Sequence, residues 1–373
     1  SHPLRYPNPV PAPSSDHTML NRLSLPTLAL LAALSGGCGS KSGGAPRISG
    51  GGATFVDPIM QKWSGEYKKA KNVEIDYVSK GSGYGITNVT SKNLDFGCSD
   101  APMNAKEVEA AKAAGGEVVH VPVTVGAVAV VYNLPAAKNL TLTGEVLADI
   151  YLRKIVKWND PAILKLNPAA DAAALNADIT PVARAESSGT SSIFTEYLSK
   201  RSPEFAKAVG ASKSPKWPAA GVLGKEGNDG VAGHVKDAGG TIGYVELAYA
   251  KKNNIPFATL VNKAGKPVAP DAAGVTAAVE AAMKVKQEKE PYSLHPLAFS
   301  FTDADGDAAY PIVGASYAML FKKQPKEKGE VIVAFLKWVA GDGQKFAAEL
   351  DYAPLPADLT KKAEELLGTV TFE

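Results

Sequence analysis

Apolar, β-branched runs alternate along this chain with stretches of helical periodicity, and that alternation restricts the fold more than any other feature. Val118–Val123 and Val125–Tyr132 read as buried strands, and so does Thr241–Val245. Around them Pro58–Lys69, Ala105–Ala114, Ile193–Lys200, Pro203–Val209, Gly274–Lys286, Glu330–Ala340 and Lys361–Leu367 read as helices. Strand and helix in turn predict α/β layers with a largely parallel sheet, since each parallel strand needs a returning crossover. Asn167–Asn176 and Ser212–Asn228 read as loops, and the alanine-rich Ala272–Ala282 as a surface helix. At 373 residues, 45% of them hydrophobic, the chain is long enough for two domains with real cores.

Charge and cysteine content exclude several functions. Forty basic against 38 acidic residues leave a formal +2, which gives no basic field for nucleic acid. Two cysteines make neither a disulfide framework nor a four-ligand zinc site. His120, His234 and His295 lack metal-ligand spacing and read as surface or packing residues. The DADGD run at Asp303, Asp305 and Asp307 misplaces the glycine of a calcium loop and has Gly314 where a glutamate is needed, so it reads as a solvated loop. No metal and no cofactor is expected. Trp63, Trp158, Trp217 and Trp338 read as packing residues.

The N-terminal region reads as processing signal. Residues 1–18 are polar and proline-rich and read as an extension upstream of the true start at Met19. Arg22 and the 12-residue apolar run Leu23–Leu34 then form a secretory signal over 19–37, too short to span a bilayer as a helix. Small residues ending at Cys38 resemble a bacterial lipoprotein signal in which Cys38 takes the lipid, although Ser35 stands where that pattern has an aliphatic residue. Residues 38–46 would be a flexible tether, and the protein is expected outside the cytoplasm.

Three segments place glycines and hydroxyls just before helix-compatible runs: Gly50–Pro58 (GGGATFVDP), Lys80–Thr87 (KGSGYGIT) and Arg184–Ser192 (RAESSGTSS). In the first, Asp57 can cap and Pro58 suits the opening helical position. Helix N-termini expose unpaired N–H groups and a partial positive charge, so three of them converging would make an anion site. One such segment alone is ordinarily just a cap. Neither the Walker nor the Rossmann glycine pattern is present, and Ser188 lacks the G-x-S-x-G surroundings of a nucleophile.

Joined to Asp95–Met103 (DFGCSDAPM), Leu147–Pro168, Lys216–Val235 (KWPAAGVLGKEGNDGVAGHV) and the TIGYVELAYAKKNN segment from Thr241, these segments resemble, in order, the periplasmic phosphate-binding proteins that feed the high-affinity phosphate ABC transporter. The resemblance runs from about Ile48 to beyond Leu355. It implies an α/β two-lobed periplasmic-binding-protein fold of type II, with lobe one at 47–125 and 308–373, lobe two at 126–307, and crossings near Thr124–Ala127 and Leu297–Asp307.

The same resemblance implies phosphate ligands at Thr54, Phe55, Ser82, Asp100, Arg184, Ser188, Gly189 and Thr190, with Glu186 orienting Arg184. It implies inorganic phosphate and ABC permease subunits as partners, a monomer, membrane contact only through the lipid, and no catalysis. Arg184 is the fixed cation, able to fork onto two oxygens. Asp100 accepts a hydrogen bond from the proton that phosphate carries at neutral pH, which sulfate lacks. Three positions depart from the family: Glu186 replaces a shorter aspartate, Cys98 a small residue, and Tyr84 a small residue in the glycine turn. Two other functions bear on the same residues. A receptor for another tetrahedral oxyanion would need the same site, whereas a secreted phosphate-ester hydrolase would need a metal cluster or an activated nucleophile, and neither pattern is present.

Overall fold

The fold is organised by one long strand. In the computed structural model, which describes residues 45–217 and 220–373, Val118–Tyr132 is continuous, and all of it but Val118 is buried. The signal segment and Cys38 lie outside the described residues. Burial on both faces explains why the two runs expected here fuse, since Thr124 between them is itself buried inside the strand rather than ending it. With Arg47–Gly52 as β1, Glu74–Ser79 as β2 and Phe96–Ser99 as β3, Val118–Tyr132 is β4.

Eight strands form one sheet in the order β2, β1, β3, Val313–Phe321, β4, Thr241–Glu246, Thr180–Arg184, Leu223–Lys225. The three strands at each end pair in parallel, as the alternating pattern predicts. The centre does not: Val313–Phe321 is antiparallel to both β3 and β4, and β4 is antiparallel to Thr241–Glu246. The sheet is therefore mixed rather than largely parallel, because two strands run through its middle without a helical crossover. Along β4 the partner changes between Ala127, opposite Val313, and Val128, opposite Glu246. A bulge beside Ser316 and Tyr317 accommodates Pro122, which has no N–H for the ladder, and the extra residue Val123.

Helices cover the sheet. Asp57–Lys71, here α1, buries Ile59, Met60, Trp63 and Tyr67, and the Trp63 indole donates to the Gly343 carbonyl at 2.8 Å. Its cap is Val56 rather than Asp57; Asp57 lies in the first turn, where its carboxylate accepts from Gln61. Ser82–Thr90 (α2) starts after Gly81, whose φ of 91° favours glycine. Ala105–Gly115 (α3) opens on a reciprocal Asn104–Glu107 capping box.

The expected loop Ser212–Asn228 contains the strand Leu223–Lys225 and the start of helix Gly227–Asp237, elements whose small and polar residues carry too little periodicity to be read. Ala272–Ala282 is a helix that buries Val275, Ala278, Val279 and Ala282, one stripe at helical spacing. Among the described residues no helix is long and apolar enough to cross a membrane.

Candidate anion-binding site

The three glycine- and hydroxyl-rich turns meet. Ser82, the first residue of α2, accepts on Oγ from the Gly189 N–H at 2.9 Å and from the Asp100 N–H at 3.1 Å. The Gly83 N–H donates to the Ser187 carbonyl at 3.0 Å. Thr54, just ahead of α1, accepts on Oγ1 from the Asn228 backbone at 3.2 Å and side chain at 2.8 Å. The same Asn228 amide reaches Thr190 Oγ1 at 3.4 Å, and the Arg184 guanidinium reaches it at 3.3 Å. Thr54, Ser82, Asp100, Arg184, Gly189 and Thr190 thus belong to one buried network.

Each side chain is held by local structure. Ser188 caps helix Gly189–Arg201 by accepting from the Ser191 N–H at 3.2 Å, which leaves its hydroxyl proton free to donate. Arg184 ends its strand with a side chain only 1% exposed and pairs with Glu186. Glu186 reaches both that guanidinium and the Gly227 N–H, the latter at 3.2 Å. Phe55 is fully buried; its carbonyl accepts from the Tyr352 hydroxyl at 2.6 Å, and the Thr54 carbonyl from that of Tyr249, also at 2.6 Å. The turn ahead of α1 is therefore gripped by two tyrosines.

Asp100 is not a helix cap, since α3 begins five residues later behind Asn104. Burial raises its carboxyl to about pH 7, against the pull of Ser316, Arg184, Ser82 and Thr190. Asp100 Oδ1, Arg184 Nε and Glu186 Oε2 are buried with no hydrogen-bond partner among the described residues. A buried guanidinium, several hydroxyls and the Asp100 carboxylate in one network suit a small oxyanion that carries a proton. The departures fit: Cys98 is buried, its thiol pushed up to about 12 and so inert, and Tyr84 lies under Lys80 at the edge of the turn.

Several participants were not legible beforehand. Asn228 sits in the quoted GNDGV segment, and a Gly-Asn pair opening a helix was the available signal. Tyr249, Tyr352 and Glu246 had none. Glu246 is fully buried, with Oε2 accepting from the Ala248 N–H at 2.9 Å and lying 3.1 Å from the Tyr352 hydroxyl. That hydroxyl donates toward the nearer Phe55 carbonyl and toward Glu246 Oε2, and burial pushes the Glu246 carboxyl well above its usual range.

Outside this network, His120 and His295 are packing residues: both are buried, their rings 3.7 Å apart, and both bond the Met103 backbone. Asp303 is likewise not solvated but packs near Arg201, whereas Asp305 and Asp307 are exposed.

Comparison with known proteins bears on this geometry. The family model described as a PBP superfamily domain matches residues 39–343. The phosphate-binding protein PstS of Pasteurella multocida is 40% identical over 323 residues, covering 86% of this chain and 89% of its own. That of Methanocaldococcus jannaschii is 39% identical over 324 residues, covering 83% and 82%. Among solved structures, a human phosphate-binding apolipoprotein superposes with a TM-score of 0.68 at 21% identity, covering 85% of this chain and 93% of its own. A phosphate-binding protein from Stenotrophomonas maltophilia gives 0.66 at 18% identity, covering 86% and 94%. At such identities the structures establish a shared fold, the two-lobed α/β periplasmic-binding fold.

Proposed function

The chain belongs to the PstS phosphate-binding proteins of the PBP superfamily, and from that premise we propose that it binds inorganic phosphate between two lobes and delivers it to an ABC-type importer without catalysis. The observation that carries this reading is the junction of Ser82 with Gly189 and of Thr54 with Asn228, which joins four helix N-termini to Asp100 and Arg184 in one buried network.

The lobes we assign are 47–125 with 308–373, and 126–307. The change of pairing partner along β4 at Ala127 and Val128 supports that division. Thr54, Phe55, Ser82 and Asp100 then come from lobe one, and Arg184, Ser188, Gly189 and Thr190 from lobe two, with Glu186 orienting Arg184. Only the closed arrangement brings both donor sets to one ligand, so phosphate stabilises closure by its preference for that state. A permease can read loaded from empty protein in the placement of the lobes.

Selectivity follows from charge and proton count. Arg184 and the neutral donors neutralise the oxyanion, while Asp100 accepts from the ligand's own proton; sulfate, without that proton, would set two acceptors against each other away from water. Asp100→Asn is expected to relax discrimination against sulfate in competition binding, and unchanged selectivity would remove Asp100 from the role. We further assign a monomeric protein of the periplasm or cell surface, anchored by lipid at Cys38. Cys38→Ala is expected to release it from the membrane fraction, and continued membrane association would contradict the anchor.

A further inference from the structure

Beneath the site a row of three buried polar side chains crosses three neighbouring strands. Tyr317 pairs with Ser99 at the end of β3, and Ser316 pairs with Thr124 of β4. Continuing the antiparallel register by one residue sets Ser316 opposite Asp100, so Asp100, Ser316 and Thr124 stand side by side on one face. The bulge at Ser316 and Tyr317 adjoins this row, the kind of irregularity that re-aims a side chain.

All three side chains are buried, Ser316 and Thr124 completely. Asp100 Oδ1, Ser316 Oγ and Thr124 Oγ1 nevertheless have no hydrogen-bond partner within 3.5 Å among the described residues. Three adjacent orphan oxygens are rare in a protein interior unless they serve one another or a ligand. Among the groups that draw Asp100 back toward its ionised form, Ser316 ranks ahead of Arg184, Ser82 and Thr190.

We propose that Ser316 and Thr124 are positioning residues for anion selectivity: when the anion is bound, the Thr124 hydroxyl turns to donate to Ser316 Oγ and the Ser316 hydroxyl to Asp100 Oδ1, bonds not made in the present arrangement, and the row keeps Asp100 an acceptor toward the ligand's proton. The inference rests on the role assigned to Asp100 above. Each hydroxyl has one proton, so the row has a direction, and it ends on the carboxylate. Without Ser316, burial leaves Asp100 a neutral acid over more of the neutral range. A neutral acid donates, and a donor there suits an oxyanion that brings no proton. The other ionisable groups facing Asp100 are the Arg184–Glu186 pair, Cys98, Tyr77, Tyr317 and Tyr352; burial pushes the last four upward, which leaves them uncharged near neutrality.

The test is sulfate and phosphate affinity between pH 5.5 and 8.5, measured by calorimetry on the wild type and on Ser316→Ala, Thr124→Val, Thr124→Ser and Asp100→Asn. In Ser316→Ala the pH below which sulfate competes is expected to move up by about one unit, making sulfate about twofold tighter at pH 7 and approaching tenfold tighter by pH 8.5. Thr124→Val, isosteric but without a donor, moves it the same way by less, and Thr124→Ser stays with the wild type. A wild-type sulfate profile in Ser316→Ala, alongside altered selectivity in Asp100→Asn, would overturn the row and leave Asp100's role standing. Unaltered selectivity in Asp100→Asn would overturn both.

Discussion

Replacing Gly189 by alanine separates closure from folding. A Cβ at Gly189 would lie 2.5 Å from Asp100 Cβ, 2.6 Å from Ser82 Oγ and 2.7 Å from the Asp100 nitrogen, all inside ordinary contact and two of them close to backbone. Those atoms belong to the opposite lobe in our assignment, so the methyl collides only when the cleft is shut. Overpacking costs about 1–3 kcal/mol. The bond from the Gly189 N–H to Ser82 Oγ, lost as the surfaces part, adds about 1 kcal/mol. Together these predict phosphate binding weakened by about 30- to 1,000-fold. Alanine suits the start of helix Gly189–Arg201 at least as well as glycine, so the phosphate-free melting temperature should not fall. Calorimetric affinity paired with melting curves, with and without phosphate, reads both quantities. Wild-type affinity in Gly189→Ala would refute the closed contact. A lowered phosphate-free melting temperature would mean that the contact lies within one folded unit, not between moving halves.

Arg184→Ala removes the fixed cation and is expected to weaken phosphate binding by about 2–5 kcal/mol, whereas near-normal affinity in the same titration would show the guanidinium is not a ligand. Glu246 has a raised carboxyl in the folded state, so its contribution is complete below its unfolded pKa and lost as pH rises through the folded one. Urea unfolding from pH 4.5 to 9 should therefore show Glu246→Gln gaining on the wild type toward alkaline pH; a pH-independent difference would contradict the raised carboxyl. Burial lowers both His120 and His295, so stability present above about pH 6.5 is lost as pH falls below it. His120→Gln, which keeps an acceptor for the Met103 N–H, should flatten that acid limb, and an unchanged limb would place the acid sensitivity elsewhere.

What was legible in the sequence was local chemistry. The turns at Thr54, Ser82 and Ser188 announce themselves through glycines and hydroxyls ahead of apolar periodicity, because capping and close approach are decided within a few residues. What closes the site is not local. Tyr352 reaches the Phe55 carbonyl from near the C-terminus, and Asn228 reaches Thr54 from a segment that reads as loop. The mixed sheet was missed for a related reason: β-branched composition marks β4 and Thr241–Glu246 as strands but carries no information on direction, which the through-running strands settle. His120 and His295 looked independent because nothing in their spacing reveals that Met103 holds both.

The account stands most directly on calorimetric titration of the phosphate-stripped protein with phosphate and, separately, with sulfate at matched pH and salt. It predicts tight one-to-one binding of phosphate with negligible heat from sulfate at pH 8.5, where Asp100 is ionised. Equal binding of sulfate would keep the anion site but contradict the selectivity assigned to Asp100, and binding of neither would contradict the site itself.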